Sequence, residues 1–143
     1  VSNSIAESTT IKATAEKVRS AILDVEAYPT WQKEMLKVEI VDKDALGRPA
    51  TVKFDISAMG QKASYTLVYS YPDETTIETH LTEGDTIVKQ DQTYGITSVA
   101  AGVELNYQLD MAVKWSVPDF MLKAIINKGI KGTLTGIKTR SEG

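Results

Sequence analysis

Between Val103 and Trp115 every second position is apolar or aromatic: Val103, Leu105, Tyr107, Leu109, Met111, Val113 and Trp115. Glu104, Asn106, Gln108, Asp110, Ala112 and Lys114 fill the places between them. Strand side chains change face at every residue, so this spacing predicts one long antiparallel strand with a wet face and an apolar face. Such a strand is well over the usual length of about five or six residues and needs an equally long partner to cover it. The next segment supplies one. Phe120, Met121, Leu122, Ile125, Ile126, Ile130, Leu134 and Ile137 recur at helical spacing behind Pro118. Proline suits the first turn of a helix, where its missing N–H would be unpaired anyway.

The same period of two runs back through the chain. Leu36, Val38 and Ile40 precede the turn residues Asp44, Gly47 and Pro49, and Val52, Phe54, Ile56 and Ala58 precede Gly60. Ala63, Tyr65, Leu67, Tyr69 and Tyr71 lead to Pro72-Asp73, and Ile77, Thr79 and Leu81 lead to Glu83-Gly84-Asp85. Val88, Gln90, Gln92, Tyr94 and Ile96 share the next face, before a loop around Ala100, Ala101 and Gly102. Residues 5–12 add a first strand with Ile5 and Ile11 on one side. Thr14 follows as an N-cap with Glu16 in the first turn, and Val18, Ala21, Ile22 and Val25 make the buried stripe of a short helix. Pro29 ends that helix or opens a second one, and Tyr28 and Trp31 beside it close one end of a core.

Hairpin-length loops between consecutive strands imply an antiparallel meander, and a sheet with one apolar face must curl around a partner. The expected fold is therefore α+β: a seven-stranded curved antiparallel sheet wrapped around a long C-terminal helix, with two short helices after the first strand. At 143 residues it forms a single domain, residues 1–143. Gly129, Gly132 and Gly136 interrupt the last helix, each costing up to about 1 kcal/mol relative to alanine. Three readings are open: close approach to the sheet, room for a bound molecule, or fraying after about residue 131.

Several function classes drop out. A net charge of −3, spread along the chain, leaves no basic footprint for nucleic acid. No run approaches about 18 apolar residues, so stable membrane insertion is not expected, and the first residues lack the pattern of a secretory leader. The absence of cysteine removes thiolate chemistry and fits a cytoplasmic protein. The one histidine, His80, falls with Thr76, Glu78 and Thr82 on the outer face. It has no companions at ligand spacing, so neither a metal nor a cofactor is expected. Asp55, Glu78, Asp91, Glu104 and Asp110 also alternate outward, so no acid–base pair forms inside and no catalytic residue can be assigned.

What does face inward is unusual for a plain core. Gln90 and Gln92 share a face with Tyr94, and a buried amide without a partner costs about 1–3 kcal/mol. A ligand, water or the hydroxyls of Tyr65, Tyr69, Tyr94 and Tyr107 would satisfy them; a β-bulge that turns this strand over would instead expose them. Tyrosine joins a large apolar body to a hydroxyl that seeks a partner, which suits either core filling or a mostly apolar ligand with a few oxygens.

The order of elements, with Asp24, Tyr28, Pro29 and Trp31 in a D-x-x-x-Y-P-x-W pattern and the turn Leu81-x-Glu83-Gly84, resembles the polyketide cyclase/dehydrase branch of the START-like (SRPBCC) superfamily. The chain departs from that branch at Tyr94-Gly95-Ile96, where Trp-x-Phe is frequent. The resemblance implies the helix-grip fold and a cavity between sheet and last helix that holds an apolar or aromatic small molecule, such as a lipid, a quinone or a polyketide-like compound. The inward face then nominates as ligand-binding Phe54, Tyr65, Leu67, Tyr69 and Thr79 from the middle strands. Gln90, Gln92, Tyr94, Tyr107, Leu109 and Met111 join them from the last two, and Leu122, Ile126 and Ile130 from the helix. Two alternatives accompany this binding role. One is a cyclase or aromatase using the polar groups of Tyr65, Gln92 and Tyr94. The other is a protein-interaction module like the quinone-carrier and ribosome-associating branch.

Overall fold

The alternating segments pair in chain order. In the computed structural model, residues 3–58, 60–114 and 118–143 are described, with the side chains of Asn3 and Ala58 excepted. Among these residues one antiparallel sheet contains β1 (Asn3–Ile11), β2 (Met35–Lys43), β3 (Pro49–Ala58), β4 (Gln61–Asp73), β5 (Thr76–Gly84), β6 (Ile87–Val99) and β7 (Gly102–Val113). The spatial order is β1-β7-β6-β5-β4-β3-β2, so only β1 crosses over to the far side of the meander. Long α2 (Asp119–Glu142) lies across the concave face, giving the helix-grip arrangement. Trp115 and the side chain of Ala58, both assigned inward by spacing, lie outside the described residues.

Parity holds through most of the sheet and fails at two bulges. The pairing of β6 with β7 shifts between Ile87 and Lys89, so Ile87 turns inward and Val88 stands 46% exposed instead of joining Gln90. The bulge sits upstream of the two amides, and Gln90 keeps its inward position at 5% exposure. In β2 a shift between Met35 and Lys37 does the same, turning Leu36 out and packing Met35 against the core. An extra residue in one strand reverses every side chain on one side of it, and because both bulges sit at the first residues of their strands the correction stays local.

Thr14 Oγ1 accepts a hydrogen bond from Lys17 N at 3.2 Å and starts α1 (Ala15–Leu23), whose Val18, Ala21 and Ile22 are buried. The second short helix is a 3₁₀ helix, Val25–Thr30, with Pro29 inside it. Pro118 is the N-cap of α2 in extended conformation, one place before the first turn. Leu122, Ile126, Ile130, Leu134 and Ile137 form the buried stripe of α2, whereas Phe120 is 74% exposed. The helix continues through Gly132 and Gly136 to Glu142, so fraying after residue 131 is ruled out. Among the described residues no helix is long and apolar enough to cross a membrane.

Candidate functional site

α2 meets the rest of the molecule differently at its two ends. Towards the C-terminus a Cβ on Gly136 would stand 2.1 Å from Cε3 and Cζ3 of Trp31, so only glycine lets the indole lie flat on the helix. Trp31 meets Tyr28 edge-on at 5.2 Å, and the Tyr28 hydroxyl donates to the Ile22 carbonyl. Asp24, at the start of the same motif, accepts from Arg140 Nη2 at 3.1 Å. The Asp24-Tyr28-Pro29-Trp31 pattern is thus a structural clasp that locks α1 and the end of α2 over one end of the core. Gly84, in the second motif, is equally constrained: a Cβ there would lie 2.1 Å from the Ile87 carbonyl oxygen at the β5–β6 turn.

Towards its N-terminus α2 stands off the sheet and leaves a cavity of about 360 Å³. Tyr65 of β4, Ile87, Gln90 and Gln92 of β6, and Tyr107, Leu109, Met111 and Val113 of β7 line it from the sheet. Leu122, Ile125, Ile126, Gly129 and Ile130 line it from the helix. Gln32 and Glu34 from the loop before β2 and Met35 at the start of β2 complete the wall, beside Ile56 and Ser57 of β3. Ser57 N donates to the Glu34 carbonyl at 2.8 Å, which ties this loop to the sheet. A Cβ on Gly129 would meet nothing within 4 Å, so this glycine borders space rather than a neighbour. Among the described residues, the exposed Glu34 and Lys128 bring the only charges on the lining.

Of the residues singled out from sequence, Tyr65, Gln90, Gln92, Tyr107, Leu109, Met111, Leu122, Ile126 and Ile130 converge on this cavity. Phe54, Leu67, Tyr69, Thr79 and Tyr94 share the buried face without lining it. Two of these form a backing layer. Phe54 stacks on Tyr65 with ring centroids 5.0 Å apart, and Tyr94 leans on Tyr107 at 4.9 Å. Sequence reasoning missed Ile56 and Val113, which follow from the same parity at the strand ends, and Ile125, Lys128, Gly129 and Thr133 on the helix. No periodicity marks Gln32 and Glu34, which come from a loop. Tyr71 points elsewhere, donating to the Pro49 carbonyl at 2.6 Å with the Arg48 guanidinium over its ring.

The polar groups inside are ordered. Thr79 Oγ1 donates to Gln92 Oε1 at 2.8 Å, and Gln92 Nε2 donates to the Tyr107 hydroxyl at 2.6 Å. Burial pushes the Tyr107 hydroxyl up to about 12, against a smaller opposing pull from Gln92. Burial also raises Tyr65, with the Gln90 amide pulling the other way, and raises Tyr69 and Tyr94 well above the ordinary phenol value. At neutral pH the cavity therefore presents neutral phenols and amides, which bind and orient oxygen atoms but accept no proton as general bases. His80 lies on the outer face, paired with Asp91 across β5 and β6, with Lys89 on Asp110 at 2.7 Å nearby. A wider depression of about 740 Å³ between α1 and the end of α2 is lined by Glu16, Lys17, Asp24 and Arg140 and offers an apolar molecule little to bury against.

A profile of the family described as "Polyketide cyclase / dehydrase and lipid transport" matches residues 2–142. The chain belongs to this family. Among solved structures, a START superfamily protein from Mycobacterium smegmatis is 29% identical, with a TM-score of 0.87 over 97% of each chain. The Zhui aromatase/cyclase from Streptomyces sp. R1128 shares the fold at 16% identity and a TM-score of 0.83, covering 99% of this chain and 94% of its own. A STAR-related lipid transfer protein fragment from Xanthomonas axonopodis does so at 17% identity and 0.74, covering 98% and 86%. No curated protein matches this chain. The family thus spans cyclisation chemistry and lipid carriage on one scaffold, so the site has to decide between them.

Proposed function

We propose that this family member binds an apolar or aromatic small molecule in the cavity between its curved sheet and the N-terminal half of α2, as a carrier rather than a catalyst. The observation that carries this reading is the cavity itself. Its volume of about 360 Å³ falls in the range of about 300–1,000 Å³ typical of small-molecule sites. Its walls are leucine, isoleucine, methionine and tyrosine, with a few convergent amides. Met35 and Met111 on opposite walls adapt to irregular apolar shapes. The carrier role is favoured over a cyclase role because the interior phenols stay protonated and, among the described residues, the only carboxylate on the lining, Glu34, is exposed.

Titration with fatty acids, quinones, flavonoids and polyketide-like aromatics, followed through backbone amide shifts, tests the proposal. A binder should move Gln90, Tyr107, Met111 and Ile126 while leaving His80 on the outer face unchanged. A panel without any compound that perturbs the cavity residues would remove the carrier reading. Turnover of a poly-β-ketone analogue would replace it with the cyclase.

A further inference from the structure

We infer that the cavity selects ligands carrying a hydrogen-bond acceptor oxygen, through a one-way relay in which buried Thr79 orients Gln92 and Gln92 orients the hydroxyl of Tyr107. This rests on the binding role proposed above and adds a residue that lies outside the cavity lining. Thr79 is 4% exposed and sits directly across from Gln92 in the β5–β6 pairing. Its hydroxyl occupies the amide oxygen of Gln92 at 2.8 Å, which leaves the amide nitrogen to face β7. That nitrogen donates to Tyr107 Oη at 2.6 Å.

The consequence lies in the protons. An amide nitrogen only donates, so the Tyr107 oxygen is the acceptor in this pair and its own proton must go elsewhere. Among the described residues the Tyr107 hydroxyl donates to no protein group, and Tyr107 lines the cavity. Burial keeps the phenol neutral, so it serves as a donor at neutral pH. Tyr94 leans on the ring at 4.9 Å and limits its swing. A ketone, quinone or phenolic ether oxygen would complete the chain, whereas a plain hydrocarbon would leave a buried O–H unpaired. Thr79 is thus a positioning residue: without its hydroxyl the Gln92 amide is free to rotate and present its oxygen to Tyr107, which would then spend its proton inside the protein.

The test uses fluorene and 9-fluorenone, two rigid tricyclic molecules differing by a carbonyl oxygen, with affinities measured by calorimetry on the unmodified protein and on variants. The fluorenone-to-fluorene affinity ratio should fall about 3- to 10-fold in Tyr107→Phe, the usual worth of one neutral hydrogen bond. It should fall similarly in Thr79→Val, a near-isosteric change outside the cavity, with fluorene affinity unchanged, and return in Thr79→Ser. Gln92→Leu, which removes the group that orients the hydroxyl but leaves the donor itself, should lower the ratio less than Tyr107→Phe. An unchanged ratio in Thr79→Val or Tyr107→Phe, with both compounds still bound, overturns the relay alone. Fluorenone that binds the unmodified protein no better than fluorene also overturns the relay alone, fluorenone bound with no measurable fluorene supports it, and failure of both compounds to bind overturns the relay and the carrier role together.

Discussion

The two halves of α2 carry the same kind of sequence and do opposite things. Around Gly136 the missing side chain is filled by the Trp31 ring, while around Gly129 the missing side chain borders open space beside the cavity. Glycine thus permits close packing at one end of the helix, whereas at the other it stands exposed at the edge of the cavity. The closed end is built on the motif residues Asp24, Tyr28 and Trp31, and the hollow end on the cavity lining.

The largest effect that would probe this contrast is alkaline unfolding. Tyr28 belongs to the closed end, Tyr65 and Tyr107 to the hollow one, and burial raises all three hydroxyls above the ordinary value of 10.0. The fold favours the protonated form, so this stability is fully present below pH about 10 and is lost as pH rises through about 12, where Tyr107 titrates. Tyrosinate absorbance should therefore rise together with unfolding. Titration of Tyr65 and Tyr107 near pH 10 in a still-folded protein would mean that the hollow end is flooded.

Substitution at the two glycines separates the ends directly. Gly136→Ala must displace a rigid indole and should lower stability by about 1–3 kcal/mol in urea unfolding, with a shift in tryptophan emission. Gly129→Ala meets nothing within 4 Å and should raise stability by up to about 1 kcal/mol through helix propensity alone. Equal effects at the two positions would erase the distinction. The smallest change is expected for Arg140→Ala, which removes a partly exposed ion pair to Asp24 and should alter stability by no more than about 0.5 kcal/mol. A larger loss would mean that the clasp depends on charge as well as on Trp31.

Parity read the sheet well because one face of every strand had to be apolar; whether a bulge would turn Gln90 outward stayed open, and the bulge lies upstream, so Gln90 faces inward. It failed at Leu36 and Val88, where bulges reverse the alternation over a residue or two. Bulges answer to sheet twist and to the helix across the sheet, neither of which is written locally. Parity also gives a face but not a depth. Phe54 and Tyr94 share their face with Tyr65 and Tyr107, yet stand behind them rather than in the cavity wall. The roles of the glycines stayed open for the same reason, since what a missing side chain meets depends on residues about a hundred positions away, such as Trp31. Gln32 and Glu34 reach the cavity from a loop whose path the sheet and α1 dictate together.

On the binding role proposed above, a small molecule occupies the space under the N-terminal half of α2. Methionine labelled with ¹³C at its methyl tests this most directly, because Met35 and Met111 line opposite walls of the cavity while half-buried Met121 on α2 does not line it. On addition of a tightly bound aromatic ketone the Met35 and Met111 signals should move together along one saturation curve, with Met121 unmoved. Movement of Met121 alone, or of none of the three at saturating ligand, would contradict the account.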